Sequence, residues 1–263
     1  MEYQDLKFSV RDGIALITLD RPETMNAFTP QMLESWFEAI TNCEQSEEIR
    51  VVILTGAGKA FCAGGDIKHF LNQDLKAWDL KNFLQEKVHR VALAMDGLHK
   101  PIIAAINGPA RGAGMDMALF CDIRVASERA SLSESYIKLG MAPGDGGAFS
   151  LPRIVGPAKA MEWLLTGNPI ELDEALRSGL VNRVVPHDRL MEEAYLMART
   201  IADHSPLAVR LTKRAVKQAL NSDLRDHLDY ISSQMGLLCE TEHFREAVAR
   251  FLARNGVSEE ETP

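Results

Sequence analysis

Two glycine-rich turns carry the residues whose types and spacing suit chemistry. The first follows Val51-Val52-Ile53-Leu54 and runs Thr55-Gly56-Ala57-Gly58-Lys59-Ala60-Phe61-Cys62-Ala63-Gly64-Gly65-Asp66. The second follows Ile102-Ile103-Ala104-Ala105-Ile106 and runs Asn107-Gly108-Pro109-Ala110-Arg111-Gly112-Ala113-Gly114-Met115-Asp116. Small residues let a ligand approach the backbone, and free N–H groups at a helix start attract developing negative charge. Two such turns aimed at one oxygen make an oxyanion hole, which suits an activated carbonyl such as a thioester.

The elements that must position these turns follow from periodicity. Leu6, Phe8 and Val10 alternate, Asp12-Gly13 turns, and Ile14, Leu16 and Thr18 alternate again, which predicts a hairpin. Thr29-Pro30 starts a helix with Leu33, Trp36, Phe37 and Ile40 on one stripe. The apolar run 51–54 predicts a strand buried on both faces. Leu80, Leu84, Val88, Val91, Met95 and Leu98 recur at helical spacing and read as core; Pro101 stops that helix before the next strand at 102–106. A helix from Gly112 to about Phe120 precedes a strand at Asp122-Ile123-Arg124-Val125. This alternation predicts an α/β fold with mostly parallel strands. From about Pro157 helices dominate, at 160–165, 172–177 (ended by Gly179), 189–202, 207–220 and 243–254. The expected division is a core over 1–197 and a helical segment over 198–263 whose apolar stripe packs on the core or on another subunit.

A chain of 263 residues with 46% hydrophobic and 25% charged residues is of ordinary globular composition. Its net charge of −8 argues against general nucleic-acid binding, and an anionic ligand would need a local basic patch. Cys43, Cys62, Cys121 and Cys239 have no CxxC or Cys/His spacing, and the histidines no HxxxH or HExxH, so no disulfide framework or metal site is indicated. Cys62 and Cys121 read as core. The first residues have no basic n-region or apolar h-region, no apolar run approaches bilayer length, and Glu261-Thr262-Pro263 is no peroxisomal address. A cytoplasmic protein without membrane contact is expected.

The motifs together resemble the enoyl-CoA hydratase/isomerase (crotonase) superfamily. The matching stretches are Arg21-Pro22-Glu23-Thr24-Met25-Asn26-Ala27, Ala60 through Lys68, Lys100-Pro101 through Asp116, Phe120-Cys121-Asp122-Ile123 and Leu139 through Gly147. Leu165-Thr166-Gly167 and Ala175-Leu176-Arg177-Ser178-Gly179-Leu180-Val181 extend the likeness over almost the whole chain. The resemblance implies a crotonase-like spiral of ββα units and a C-terminal helical oligomerisation segment forming homotrimers or hexamers. It also implies acyl-CoA as substrate, no cofactor other than the coenzyme A of that substrate, and no metal. One scaffold hosts many reactions in this superfamily, so the fold does not choose among them.

By position in the family motif, the oxyanion amides belong to Gly65 and Ala113. The coenzyme A contacts implied are Met25, Lys59, Ala63, Asp66, Ile67 and Lys68, with Glu23 standing where relatives often have a basic residue. Hydratases of this type carry two glutamates; here the first position holds Asp116 and the second Tyr136, a poor base at neutral pH. Glu134 faces the same side as Tyr136 if the segment is extended, or is an exposed strand-end carboxylate. Asp145, in Gly144-Asp145-Gly146-Gly147, is either an acting carboxylate or the N-cap of the next helix. Tyr136 and the helix at 80–98 help shape the acyl pocket. The expected function is hydration of a 2-enoyl-CoA or double-bond migration, using Asp116 and Asp145. The alternatives are a hydrolase or lyase using Asp145, or a catalytically silent acyl-CoA-binding assembly protein.

Overall fold

The computed structural model describes residues 3–66 and 76–254. It divides into one compact unit running to Thr200 and a second from Ile201. The strands of the first are β1 (Leu6–Arg11), β2 (Ile14–Leu19), β3 (Val51–Gly56), β4 (Ile102–Ile106), β5 (Pro109–Arg111), β6 (Ile123–Ser127), β7 (Ser131–Ser133) and β8 (Arg183–Val185). Asp12 and Gly13, at φ 52° and 75°, close the β1–β2 hairpin with the two left-handed residues that a tight hairpin turn demands. From β2 onward the main sheet is parallel, in the order β1-β2-β3-β4-β6-β8. A small parallel pair, β5 and β7, stands beside it. Every residue of β3 and β4 is buried, as their unbroken apolar runs require.

The sheet is backed by helix α1 (Pro30–Gln45), which buries Met32, Leu33, Trp36, Ala39, Ile40 and Cys43. Thr29 caps it, Oγ1 accepting from the Met32 amide at 3.1 Å. Its far end is closed by a residue that periodicity does not flag. Lys100, 1% exposed, donates from Nζ to the carbonyls of Cys43 (2.6 Å) and Ser46, satisfying orphan groups of the last turn.

The stripe from Leu80 to Leu98 is not one regular helix. Helix α2 (Ala77–Phe83) passes through a π turn (Leu84–Val88) into α3 (His89–Gly97). The extra residue per turn rotates the apolar register. Val88, Val91, Met95 and Leu98 are buried as expected, whereas Leu80 is exposed and Leu84 half-buried. Helix α4 (Ala113–Leu119) follows the second glycine turn, and α5 (Gly147–Val155) follows the Gly144-Asp145-Gly146 loop. Further helices at Pro157–Thr166, Leu172–Arg177 and Leu190–Ala202 complete this part of the chain.

The second unit holds helices Pro206–Ala219, Leu224–Cys239 and Glu242–Arg254. The middle one is absent from the periodicity reading; its start is marked instead by Asp223, whose Oδ1 accepts from the Asp226 amide at 3.0 Å. Val216, Leu220, Leu224, Leu228, Met235, Leu237, Phe244, Val248 and Phe251 are exposed on these helices.

Candidate active site

The first glycine turn is held by two buried asparagines. Asn26, in a left-handed conformation at φ 56°, donates from Nδ2 to the carbonyls of Ala57 (2.9 Å), Ala60 (2.8 Å) and Phe61 (3.2 Å), and accepts from the Arg21 amide on Oδ1. Asn107 reaches back from the second turn to the carbonyls of Gly58 and Ala60, while its Oδ1 accepts from the Gly56 amide. Backbone contacts then lay residues 62–66 between two neighbours. On one side Phe28 donates to Gly64 and Asp66 donates to Phe28; on the other, Arg111 donates to Cys62 at 3.0 Å. In that parallel bridge the N–H of Gly65 turns away from Phe28.

The second turn meets it there. Gly112, at φ 49° and ψ −122°, adopts a conformation open to glycine and delivers Ala113 as the first residue of α4. The Ala113 N–H is therefore among the amides left unpaired at a helix start. A Cβ on Gly64 would stand 3.4 Å from Ala113 N, and one on Gly114 would collide with the Cys62 carbonyl at 2.2 Å. The glycines let the two turns interlock, with Gly64 packed against Ala113. Burial pushes the Cys62 thiol up to about 12, which makes it packing rather than a nucleophile.

Beside these amides lies a buried set of acids. Asp116, Glu134 and Asp145 are 0%, 1% and 6% exposed. Glu134 is thus no exposed strand-end carboxylate; β7 pairs with β5 and turns it inward. The Tyr136 hydroxyl stands between two of the acids, 2.7 Å from Asp116 Oδ2 and 2.8 Å from Asp145 Oδ2. Its ring lies 3.6 Å from where a Cβ on Gly112 would stand, one residue before the Ala113 amide. A Cβ on Gly147 would stand 2.2 Å from Asp116 Oδ1 and 3.1 Å from Glu134 Oε1, so only glycine admits both acids at the start of α5. Asp145 does not cap that helix. Gly146 occupies the cap position with no side-chain cap bond, and the Asp145 carboxyl turns to Tyr136 instead. His89, set at the end of the π turn, donates from Nε2 to the Gly144 carbonyl at 2.9 Å and so tethers the Asp145 loop.

Burial dominates the electrostatics. It raises the carboxyls of Asp116, Glu134 and Asp145 above their ordinary range. Tyr136 and Glu134 oppose this at Asp116, and Tyr136 and then His89 oppose it at Asp145. Burial, followed by the charges of Asp116 and Asp145, raises the Tyr136 phenol, so it acts here as a neutral hydroxyl.

The residues expected to hold coenzyme A are placed as follows. Met25, left-handed at φ 54° and 51% exposed, accepts from the Ala63 amide at 3.0 Å, while Lys59 is exposed on the neighbouring turn. Asp66 is paired with Arg21, Nη1 to Oδ2 at 3.2 Å. Glu23 also approaches Arg21, at 3.9 Å. Ile67 and Lys68 lie outside the described residues.

A largely parallel sheet with interlocked glycine turns beside buried acids fits a crotonase-type fold. Comparison with known proteins agrees. The protein-family model for enoyl-CoA hydratase/isomerase matches residues 9–258. The chain is 35% identical to a crotonyl-CoA hydratase of Syntrophomonas wolfei, with 97% of each chain covered. It is also 35% identical to a short-chain-enoyl-CoA hydratase of Clostridium acetobutylicum, with 98% of each covered. The crystal structure of an enoyl-CoA hydratase from Bacillus anthracis superposes with a TM-score of 0.91 at 34% identity, covering 95% of this chain and 97% of that one. The chain belongs to the enoyl-CoA hydratase/isomerase family and is an enzyme of that type.

Proposed function

We propose that this enzyme shifts a double bond along an acyl-CoA thioester by proton removal and return. The observation that carries this reading is the Tyr136 hydroxyl, seated 2.7 and 2.8 Å from Asp116 and Asp145. A hydratase working with two carboxylates needs a water between them. Here the phenol oxygen occupies the bridging position and joins the two acids into a path for a proton. The thioester oxygen is placed between the amides of Gly65 and Ala113, where an enolate oxygen gains two donors; in comparable holes one donor is worth roughly 2.7–4 kcal/mol. Asp116 takes the proton beside the thioester, and Tyr136 with Asp145 returns one further along the chain. Raised carboxyls suit that exchange near neutral pH.

Coenzyme A is assigned to the face of Met25, Lys59, Ala63 and Asp66, with Ile67 and Lys68 beyond it. Arg21, with Asp5, Glu23 and Asp66 around it, is arranged to hold this edge rather than to bind phosphate. The exposed apolar residues of the C-terminal helices support assembly into a homotrimer or hexamer. Among the described residues no helix is long and apolar enough to cross a membrane, and the bacterial relatives support a cytoplasmic site of action.

Hydration is the second reading, favoured by relatives named as hydratases. Crotonyl-CoA and 3-enoyl-CoA thioesters turned over in deuterated water separate the two. Deuterium exchange or bond migration without a hydroxyacyl product supports the proposal. Formation of 3-hydroxybutyryl-CoA at rates matching or exceeding migration overturns it.

A further inference from the structure

The acid cluster holds more oxygen acceptors than its protons can serve if every carboxyl is ionised. Tyr136 brings one hydroxyl proton yet stands within hydrogen-bond distance of Asp116 and Asp145. A hydroxyl donates once, so the second contact needs a proton on a carboxyl. Glu134 sets the same problem again. Neither of its oxygens meets a donor, although both are shielded from solvent. Its neighbour across the Gly147 backbone is Asp116 Oδ1, another acceptor. Two buried acceptors facing each other are satisfied when one of them carries the proton.

We propose that Glu134 is a positioning residue, permanently protonated, that donates to Asp116 Oδ1 while Tyr136 donates to Oδ2, so that the three buried acids carry a single negative charge centred on Asp116. Asp145, protonated in turn, donates to the Tyr136 oxygen. Asp116 then receives these two donors besides the Gly147 amide and is the acid best able to hold the charge; Glu134 receives none. The charged groups acting on Glu134 are Asp116 from α4 and Asp145 from the loop before α5. Of the cations on the surrounding elements, Arg111 is engaged by Ser131 and Ser133, His89 is held at the Gly144 carbonyl, and Lys138 is exposed. Burial and the charges of Asp116 and Asp145 all favour the neutral form of Glu134. Keeping Glu134 neutral fixes the Asp116 carboxylate in one rotamer and spares it a second full charge at close range.

The inference rests on Asp116 being the reacting acid, and its test separates the two claims. The infrared spectrum of the ligand-free full chain at neutral pH needs no substrate. Glu134→Gln is expected to lose one protonated-carboxyl carbonyl band; loss from the carboxylate bands instead overturns the proposal. In turnover with whichever of crotonyl-CoA or a 3-enoyl-CoA is active, Glu134→Gln keeps a donor toward Asp116. It should hold kcat within about threefold, with an unmoved pH profile, as expected when a neutral donor replaces a neutral donor. Glu134→Leu removes the donor and should lower kcat about 10- to 100-fold, the worth of a hydrogen bond to a charged group, with little change in KM. If Glu134→Gln falls as far as Asp116→Asn and loses a limb of the pH profile, Glu134 is an ionised base and the proposal fails.

Discussion

At the scale of single residues, the site is governed by what one hydroxyl does between two acids. The structure shows the Tyr136 hydroxyl joining Asp116 to Asp145. Asp116→Asn removes the proton acceptor while keeping shape and the contact with Tyr136. Since general acid–base catalysis contributes about 10²–10⁴-fold, kcat for double-bond migration should drop by that range with KM nearly unchanged. Tyr136→Phe keeps the ring against Gly112 but cuts the link between the acids. Exchange of the proton beside the thioester should survive in deuterated water while migration of the double bond is lost. Equal loss of both would show that Tyr136 matters to Asp116 alone and not to the path toward Asp145.

At the scale of elements, the glycines and asparagines hold the two turns in place. Asn26→Ala strips donors from the carbonyls of Ala57, Ala60 and Phe61 in the turn after β3, Ala60 alone keeping a second donor, from Asn107. Each buried group left without a partner costs about 1–3 kcal/mol, so the urea midpoint should fall measurably along with kcat. Gly147→Ala acts differently. Its methyl would meet Asp116 Oδ1 at 2.2 Å without backbone strain, so activity should fall far more than stability; equal loss in both would mean that α5 itself moves. These elements also show what was legible in the chain beforehand. Apolar runs fixed β3 and β4, and small residues marked both turns, because burial and close backbone approach leave few residue choices. The π turn at Leu84–Val88 was not legible, since the apolar stripe at 80–98 fits a regular helix equally well. The inward course of Glu134 was hidden too. It depends on β7 pairing with β5, strands of three residues each, too short to show alternation. That Asp145 does not cap the helix was not legible either, because an aspartate before glycines serves either purpose.

At the scale of the whole molecule, an active site built from buried acids must be carried by the stability of everything around it. Asp116, Glu134 and Asp145 all have native carboxyls raised by burial above the reference values of 3.8 for aspartate and 4.5 for glutamate. Between those reference values and the raised native ones, the folded protein binds more protons than the unfolded chain. Stability therefore falls as pH rises through that window. Glu34, lowered by its hydrogen bond with Lys87, works in the opposite direction, losing its contribution as pH falls, but the pair is partly exposed and counts for little. The wild type should thus weaken from mildly acidic toward alkaline pH, by up to about 1.4 kcal/mol per pH unit for each proton retained. Glu134→Gln removes one of those protons from the balance. Its stability relative to the wild type, read from urea unfolding, should rise steadily as pH goes from 5 to 9. Parallel stability profiles would mean that Glu134 ionises alike in the folded and unfolded states, and that the cluster holds its charge in some other way.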